Sequence, residues 1–155
     1  MIFRLKYYLL SSMMRLIKLL IGSQIPPLPT VSAIIIRGKK ILVIKLSYLN
    51  GLALPGGFLR GKEDLISGLK REISEETGYK ITTIKYFNTY SSLSKLGGYP
   101  EVNITYTAKV KGKLKSSPEG KPLWIEPETA LKQLVYEDNK MALKDNMKSK
   151  KWKRY

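Results

Sequence analysis

The chain has 155 residues, with 28 Lys plus Arg against 12 Asp plus Glu and neither histidine nor cysteine. That length is most simply one domain with enough chain to bury a core. The missing residue types exclude imidazole bases, thiol nucleophiles, disulfide scaffolds and zinc sites built from those ligands, which leaves carboxylates, other oxygens and Lys/Arg.

The formal charge of +16 is unevenly laid out: no acidic residue precedes Glu63, and five of the 12 acids lie in residues 63–76. A cationic body around an acidic, metal-loaded cluster steers polyanions toward it. A lysine-rich composition without such a purpose gives the same net charge.

In chain order, Met1–Gly22 is strongly apolar, and Arg4, Ser11, Arg15 and Lys18 fall on one narrow helical face with Lys6 on the far side. Arg15 and Lys18 interrupt the apolar run, which argues against a spanning helix. No small-residue cleavage site follows, which argues against a signal peptide. Three uses remain: an interfacial membrane helix, a dimer-forming helix, or one that covers the domain. Ile25-Pro26-Pro27-Leu28-Pro29 reads as a stiff linker. Val31–Arg37 and Lys40–Leu46, separated by Gly38-Lys39, read as a hairpin. Asn50-Gly51 signals a turn into the Leu54-Pro55-Gly56-Gly57 loop.

A helix follows. Taking Leu65 as zero and about 100° per residue, Leu65, Ile66, Leu69 and Ile73 share an arc of about 100° that faces a core. Glu72 and Glu75 flank this stripe, and Glu76 projects into it at about 20°. Acids on a merely solvated helix would lie opposite the apolar face, so Glu76 is expected to be partly buried and to need a counter-charge. At ~5–6 Å and an effective dielectric of about 20, each like-charged pair costs roughly 3 kcal/mol, and a divalent cation relieves it. Glu63 and Asp64 suit the positive N-terminal end of this helix, and Gly78 is placed as its left-handed C-terminal stop. Gly68, without a side chain, leaves room for something else to approach.

Beyond the helix, Lys80–Tyr90 and Val102–Lys111 read as strands around a polar loop from Ser91 to Glu101. Leu123–Ile125 reads as a short strand, and Glu126–Leu134 and Glu137–Met147 as helices. Lys148–Arg154 gathers five basic residues around Trp152, either a solvated tail or a contact for nucleic acid or an anionic membrane. The order of elements fits an α/β/α sandwich around a mixed β-sheet. The expected organisation is an N-terminal helix and linker over 1–29, one domain over 30–147 and a basic tail over 148–155.

Gly57, five residues, Glu63, seven residues, then Arg71-Glu72-Ile73-x-Glu75-Glu76-x-Gly78-Tyr79 resembles the Nudix box, and Leu54-Pro55-Gly56 completes its usual entry. The segment departs from the family at Tyr79, where an aliphatic residue is more usual, and at Gly68, where Ala is common. Neither departure touches the chemistry. The resemblance implies a Nudix-type α/β/α sandwich that hydrolyses a pyrophosphate bond in a nucleoside diphosphate-linked substrate, with Mg²⁺ or Mn²⁺ as cofactor.

It further implies Glu72, Glu75 and Glu76 as metal ligands, with the Gly56 carbonyl completing the shell. Glu72 and Glu75 also count as catalytic, Arg71 orients a carboxylate, Glu63 steadies the loop–helix junction, and Gly57 lies against the substrate. The base is either a box glutamate or a loop glutamate. Glu101, Glu119 and Glu137 are the loop candidates, with Glu119 first because a Ser-Ser-Pro-Glu-Gly turn precedes a strand. In Gly97-Gly98-Tyr99-Pro100, where relatives contact substrate, Tyr99 either stacks on a base or packs the loop.

The implied partner is a nucleotide-type small molecule, with a homodimer, nucleic acid or an anionic membrane as further partners. The compartment expected is the cytoplasm, with the N-terminal helix as a route to the membrane surface. ADP-ribose, dinucleoside polyphosphates, nucleoside triphosphates, capped RNA and inositol pyrophosphates all satisfy the box. A second functional reading is a Nudix-fold module that binds a nucleotide or RNA without hydrolysis; the complete glutamate set favours catalysis. A third is a membrane-attached interaction protein centred on the N-terminal helix.

Overall fold

A computed structural model describes residues 9, 12–13, 15–17, 19–20, 22, 26–95 and 98–149. Its strands are β1 (Leu28–Arg37), β2 (Lys40–Leu46), β3 (Leu52–Ala53), β4 (Gly56–Phe58), β5 (Tyr79–Leu93), β6 (Pro100–Gly112) and β7 (Gly120–Ile125). The helices are α1 (Leu65–Thr77), α2 (Pro127–Gln133) and α3 (Glu137–Lys148).

The strands make one mixed sheet in the order β3-β2-β1-β6-β5, with β4 paired to β1 and β7 to β2. Only β1 and β6 run parallel. The expected hairpin is present: Ile36 pairs with Ile41 and Arg37 with Lys40 across a turn at Gly38, whose φ of 57° suits glycine. Past that turn β1 and β2 diverge, and the early half of β1 pairs instead with β4. The glycine-rich loop is thereby drawn onto the sheet.

Side-chain alternation divides the core into two layers. Val31, Ala33, Ile35 and Leu42 meet Leu69 and Ile73 of α1 on one face. Ile34, Ile41 and Val43 meet Ala130, Leu134, Ala142 and Leu143 of the α2–α3 region on the other. The expected α/β/α sandwich is therefore the observed architecture.

Two expectations fail locally. The polar loop is shorter than 91–101, because Ser91, Ser92 and Leu93 stay paired with Val102, Glu101 and Pro100, so the loop spans 94–99. Ladder pairing overrides the low strand propensity of serine here. The last strand also begins earlier, at Gly120. Gly120 and Pro122 read as breakers, yet β7 pairs with β2 alone, and an added Cβ at Gly120 would sit 2.5 Å from the Lys45 carbonyl oxygen.

Before β1, the described residues from 9 to 20 are helical. Ile17, Leu28 and Phe58 pack against Tyr99. Among the described residues no helix is long and apolar enough to cross a membrane. Of the basic tail expected over 148–155, Lys148 ends α3, and residues 150–155, like residues 1–8, lie outside the described residues.

Candidate active site

Helix α1 is positioned by local chemistry at both ends. Asp64 Oδ1 accepts from the Ile66 and Ser67 amides at 2.9 Å each, closing the N-terminus. Gly78 ends the helix at φ 73°, and its N–H donates to the Ser74 carbonyl. Leu69 and Ile73 are fully buried, and the same rotation carries Glu72 and Glu76 inward, 8 % and 5 % exposed. Glu76 is thus buried, as its place in the apolar stripe predicts. At Gly68, an added Cβ would lie 2.5 Å from the Leu59 side chain. The approaching group is that leucine. Tyr79 is a packing residue: its hydroxyl accepts from Trp124 Nε1 at 3.4 Å, and Arg37 lies over both rings.

Arg71 braces the acids. Its Nε and Nη2 donate to the two oxygens of Glu63 at 2.6 and 2.8 Å, and Nη2 also reaches the Phe58 carbonyl at 3.1 Å. Its Nη1 donates to Glu72 Oε1 at 2.6 Å and Glu75 Oε2 at 3.3 Å. These bonds hold its guanidinium fully charged, and they hold Glu63 down at about 2, chiefly through Arg71 and then the Arg60 amide. Glu63 thus ties the loop to the helix, as the box resemblance implies.

The β4 loop closes on the acids from the other side. The Gly56 amide donates to Glu76 Oε2 at 2.9 Å. Gly56 has φ 150°, and a Cβ there would meet the Val31 carbonyl oxygen at 2.1 Å. A Cβ on Gly57 would lie 2.8 Å from the Glu72 carboxyl carbon. Only glycine lets the strand approach this closely. Burial drives Glu76 well above the ordinary carboxylate range, opposed by the Gly56 N–H and reinforced by Glu72, Glu119 and Glu75. Burial also raises Glu72, against Arg71.

Gly56, Gly57, Glu72 and Glu76 line a cleft of about 280 Å³ that also holds Glu119 and Glu101, whereas Glu63, Arg71 and Glu75 do not line it. Glu119 stands in the turn before β7, where its carbonyl accepts from the Ser47 amide at 3.0 Å. Its carboxyl is pushed up by burial and then by Glu72 and Glu75. Glu101, at the start of β6, is pushed up by burial first, with Asp138 adding to it. Glu137 is not at the site: it is exposed at the start of α3 and bonded to Lys140 at 2.6 Å. Tyr99 is not a stacking platform either. It is 1 % exposed, its faces covered by Leu28, Phe58 and Ile17, and it does not line the cleft. Of its two readings, loop packing holds, because the short 94–99 loop turns the ring inward.

The far end of the cleft was missed by sequence reasoning. Ser32 Oγ donates to Asn103 Oδ1 at 3.0 Å, and Asn103 Nδ2 donates to Asp138 Oδ2. Asn139 Nδ2 donates to the same oxygen at 3.1 Å, while Asn139 Oδ1 accepts from the Leu54 amide at 2.8 Å. All four side chains are buried and line the cleft, and Asp138 Oδ1 has no hydrogen-bond partner among the described residues. A polar residue at a core-facing strand position was the available signal: Ser32 shares the parity of Ile34, and Asn103 sits within Val-Asn-Ile-Thr. Arg60 was also missed. It forks onto Glu75 with Nη1 and Nη2 at 3.2 and 2.8 Å, and it lines the cleft.

Among the described residues no three acids form a ready-made metal group. The donor chemistry still fits a hard divalent ion: the side-chain donors are all oxygens, and Glu76 is buried where Glu72, Glu75 and Glu119 each oppose its charge. Glu75 joins such a shell only by leaving the Arg60 fork.

Mixed sheet, flanking helices and an arginine-braced carboxylate cleft define an α/β/α domain with an acidic site at one edge of α1. The NUDIX domain model matches residues 26–145, and the chain belongs to that family. It is a Nudix pyrophosphohydrolase, and its solved neighbours have the same fold. A NUDIX hydrolase from Nitrosomonas europaea superposes with a TM-score of 0.70 at 20 % identity, over 78 % of this chain and 88 % of that one. A MutT protein from Bacillus halodurans gives 0.68 at 23 % over 79 % and 83 %. The NUDIX domain of Shewanella oneidensis NrtR, solved with ADP-ribose, gives 0.65 at 19 % over 85 % and 97 %.

Proposed function

We propose that this hydrolase cleaves the pyrophosphate of a nucleoside diphosphate-linked substrate in the cytoplasm, using Mg²⁺ or Mn²⁺ held by Glu72, Glu75, Glu76 and the Gly56 carbonyl. The observation that carries the reading is the single cleft joining the carboxylate end to the buried Ser32–Asn103–Asp138–Asn139 end. The free Asp138 oxygen accepts a hydrogen bond, so the end it lines suits the N–H edge of a nucleobase. The solved relative with ADP-ribose is in keeping with such a ligand.

When bound, the metal neutralises phosphate charge and lowers the pKa of a coordinated water. Glu119 is the proposed base. Its raised pKa makes it a better proton acceptor, and it lines the same cleft as Glu72 and Glu76. Glu119 takes a proton from water as the water oxygen bonds to phosphorus. The P–O anhydride bond breaks, and the electron pair leaves with the departing phosphate. Arg71 keeps Glu72 aimed and Glu63 tied to the loop, a positioning role. Gly57 lets the Glu72 carboxyl lie directly against the strand.

The test is product analysis with ADP-ribose, a dinucleoside polyphosphate, nucleoside triphosphates, capped RNA and an inositol pyrophosphate, each with Mg²⁺ and Mn²⁺. Turnover of a nucleoside-bearing substrate that chelator abolishes is expected. Tight nucleotide binding with no turnover in either metal would establish the binding-module reading instead.

A further inference from the structure

We propose that the helix preceding β1 seats this enzyme on an anionic membrane surface, lying on the bilayer rather than crossing it. Leu9, Met13, Leu16 and Leu20 recur at intervals of four, three and four, and fall within an arc of about 60° on an α-helix. Their exposures are 62 %, 51 %, 57 % and 75 %, and Leu19 on the flank is 82 % exposed. An apolar stripe of that length on a helix face is normally buried against something.

Among the described residues the domain does not cover it. Ile17, about 80° round from Leu9, turns toward the body and packs on Tyr99, as Leu28 and Phe58 also do. One flank of the helix is thereby fixed to the fold while the stripe faces away. Phe58 belongs both to that contact and to the cleft wall, so the attachment lies beside the active site.

Charge selects the occupant. The sequence before β1 carries Arg4, Lys6, Arg15 and Lys18, no acid precedes Glu63, and the chain as a whole is +16. A second copy would bring a second +16 body against the first, a repulsion felt within a Debye length of about 8 Å. Anionic headgroups reverse the sign of that interaction, and the acyl boundary takes the leucines. Arg15, exposed and about 120° from Leu9, stays at headgroup level while the stripe is immersed.

The test is sedimentation of the full chain with vesicles of phosphatidylcholine alone and of phosphatidylcholine mixed with phosphatidylglycerol. Light scattering without lipid runs alongside. Wild type is expected to pellet with the mixed vesicles and to be released by salt. Leu16→Glu combined with Leu20→Glu is expected to weaken partitioning by about tenfold or more. Both sites are exposed, so far-ultraviolet dichroism and thermal melting should match wild type. Wild type left in the supernatant, equal binding to both vesicles, or unchanged binding of the double variant overturns the proposal. A wild-type dimer that the double variant splits would assign the stripe to a second copy.

Discussion

The two ends of the cleft are built in opposite ways. The carboxylate end comes from one helix and the loop before it, with Glu63, Arg71, Glu72, Glu75 and Glu76 inside 14 consecutive positions. The other end takes Ser32 from β1, Asn103 from β6 and Asp138 and Asn139 from α3, partners 71 and 35 residues apart. The first end is electrostatically costly, its acids crowded and braced by arginine. The second is a network of neutral donors converging on one carboxylate oxygen. On the proposed reading, bond cleavage rests on a contiguous local scaffold, and recognition rests on a site assembled from β1, β6 and α3.

If that division is right, substitutions at the two ends should separate turnover from recognition. The largest effect is expected at Glu119: Glu119→Gln should lower kcat by roughly 10²–10⁴-fold. Its pKa is raised, and it must be ionised to accept a proton. Wild-type activity should therefore fall as pH drops through the Glu119 pKa, which burial raises from its ordinary value, and the variant's pH–rate profile should lack that acid limb. A profile unchanged in shape removes Glu119 as base. Next, Asp138→Ala should raise KM about 10–100-fold with kcat within a few-fold, and should blur selection between nucleobases in competition assays. A loss confined to kcat would merge the two ends into one function.

Smaller effects probe the arginine brace. Arg60→Gln should tighten Mn²⁺ binding by up to about fivefold in a spin-resonance titration, because the exposed Arg60–Glu75 pair no longer competes for the carboxylate. Weaker binding would place Arg60 among groups that support the metal. The smallest effect concerns acid stability. Glu63 is held at about 2, below its ordinary value of 4.5, so its contribution is full above 4.5 and is lost as pH falls toward 2. Glu63→Gln should flatten the pH dependence of the melting temperature in that window. An unaltered slope would mean the Arg71 fork adds no stability.

Legibility in the sequence followed the same division. The α1 stripe, its glycine stop, the hairpin at Gly38 and the layer order were readable because each depends on neighbours a few residues away. The place of Glu119 in the cleft was legible because it sits in a turn just before a strand. The far end was not, since Asp138 looks like a helix-start acid until β6 brings Asn103 to it. Tyr99 misled as a stacking candidate for a related reason. Glycines on one side suggest an open loop, whereas the 94–99 loop is short and folds the ring under Phe58. Arg60 carried no local signal, as its partner lies 15 residues on.

The most direct test of the central assignment is Glu76→Gln, which keeps the shape of the buried side chain and removes its charge. Turnover and nucleotide affinity should be measured on the same preparation with Mg²⁺ and Mn²⁺. The predicted result is kcat reduced by about 10²-fold or more, with nucleotide affinity in the absence of metal within a few-fold of wild type. Turnover equal to wild type would contradict the assignment of this helix as the metal-holding, bond-cleaving end of the cleft.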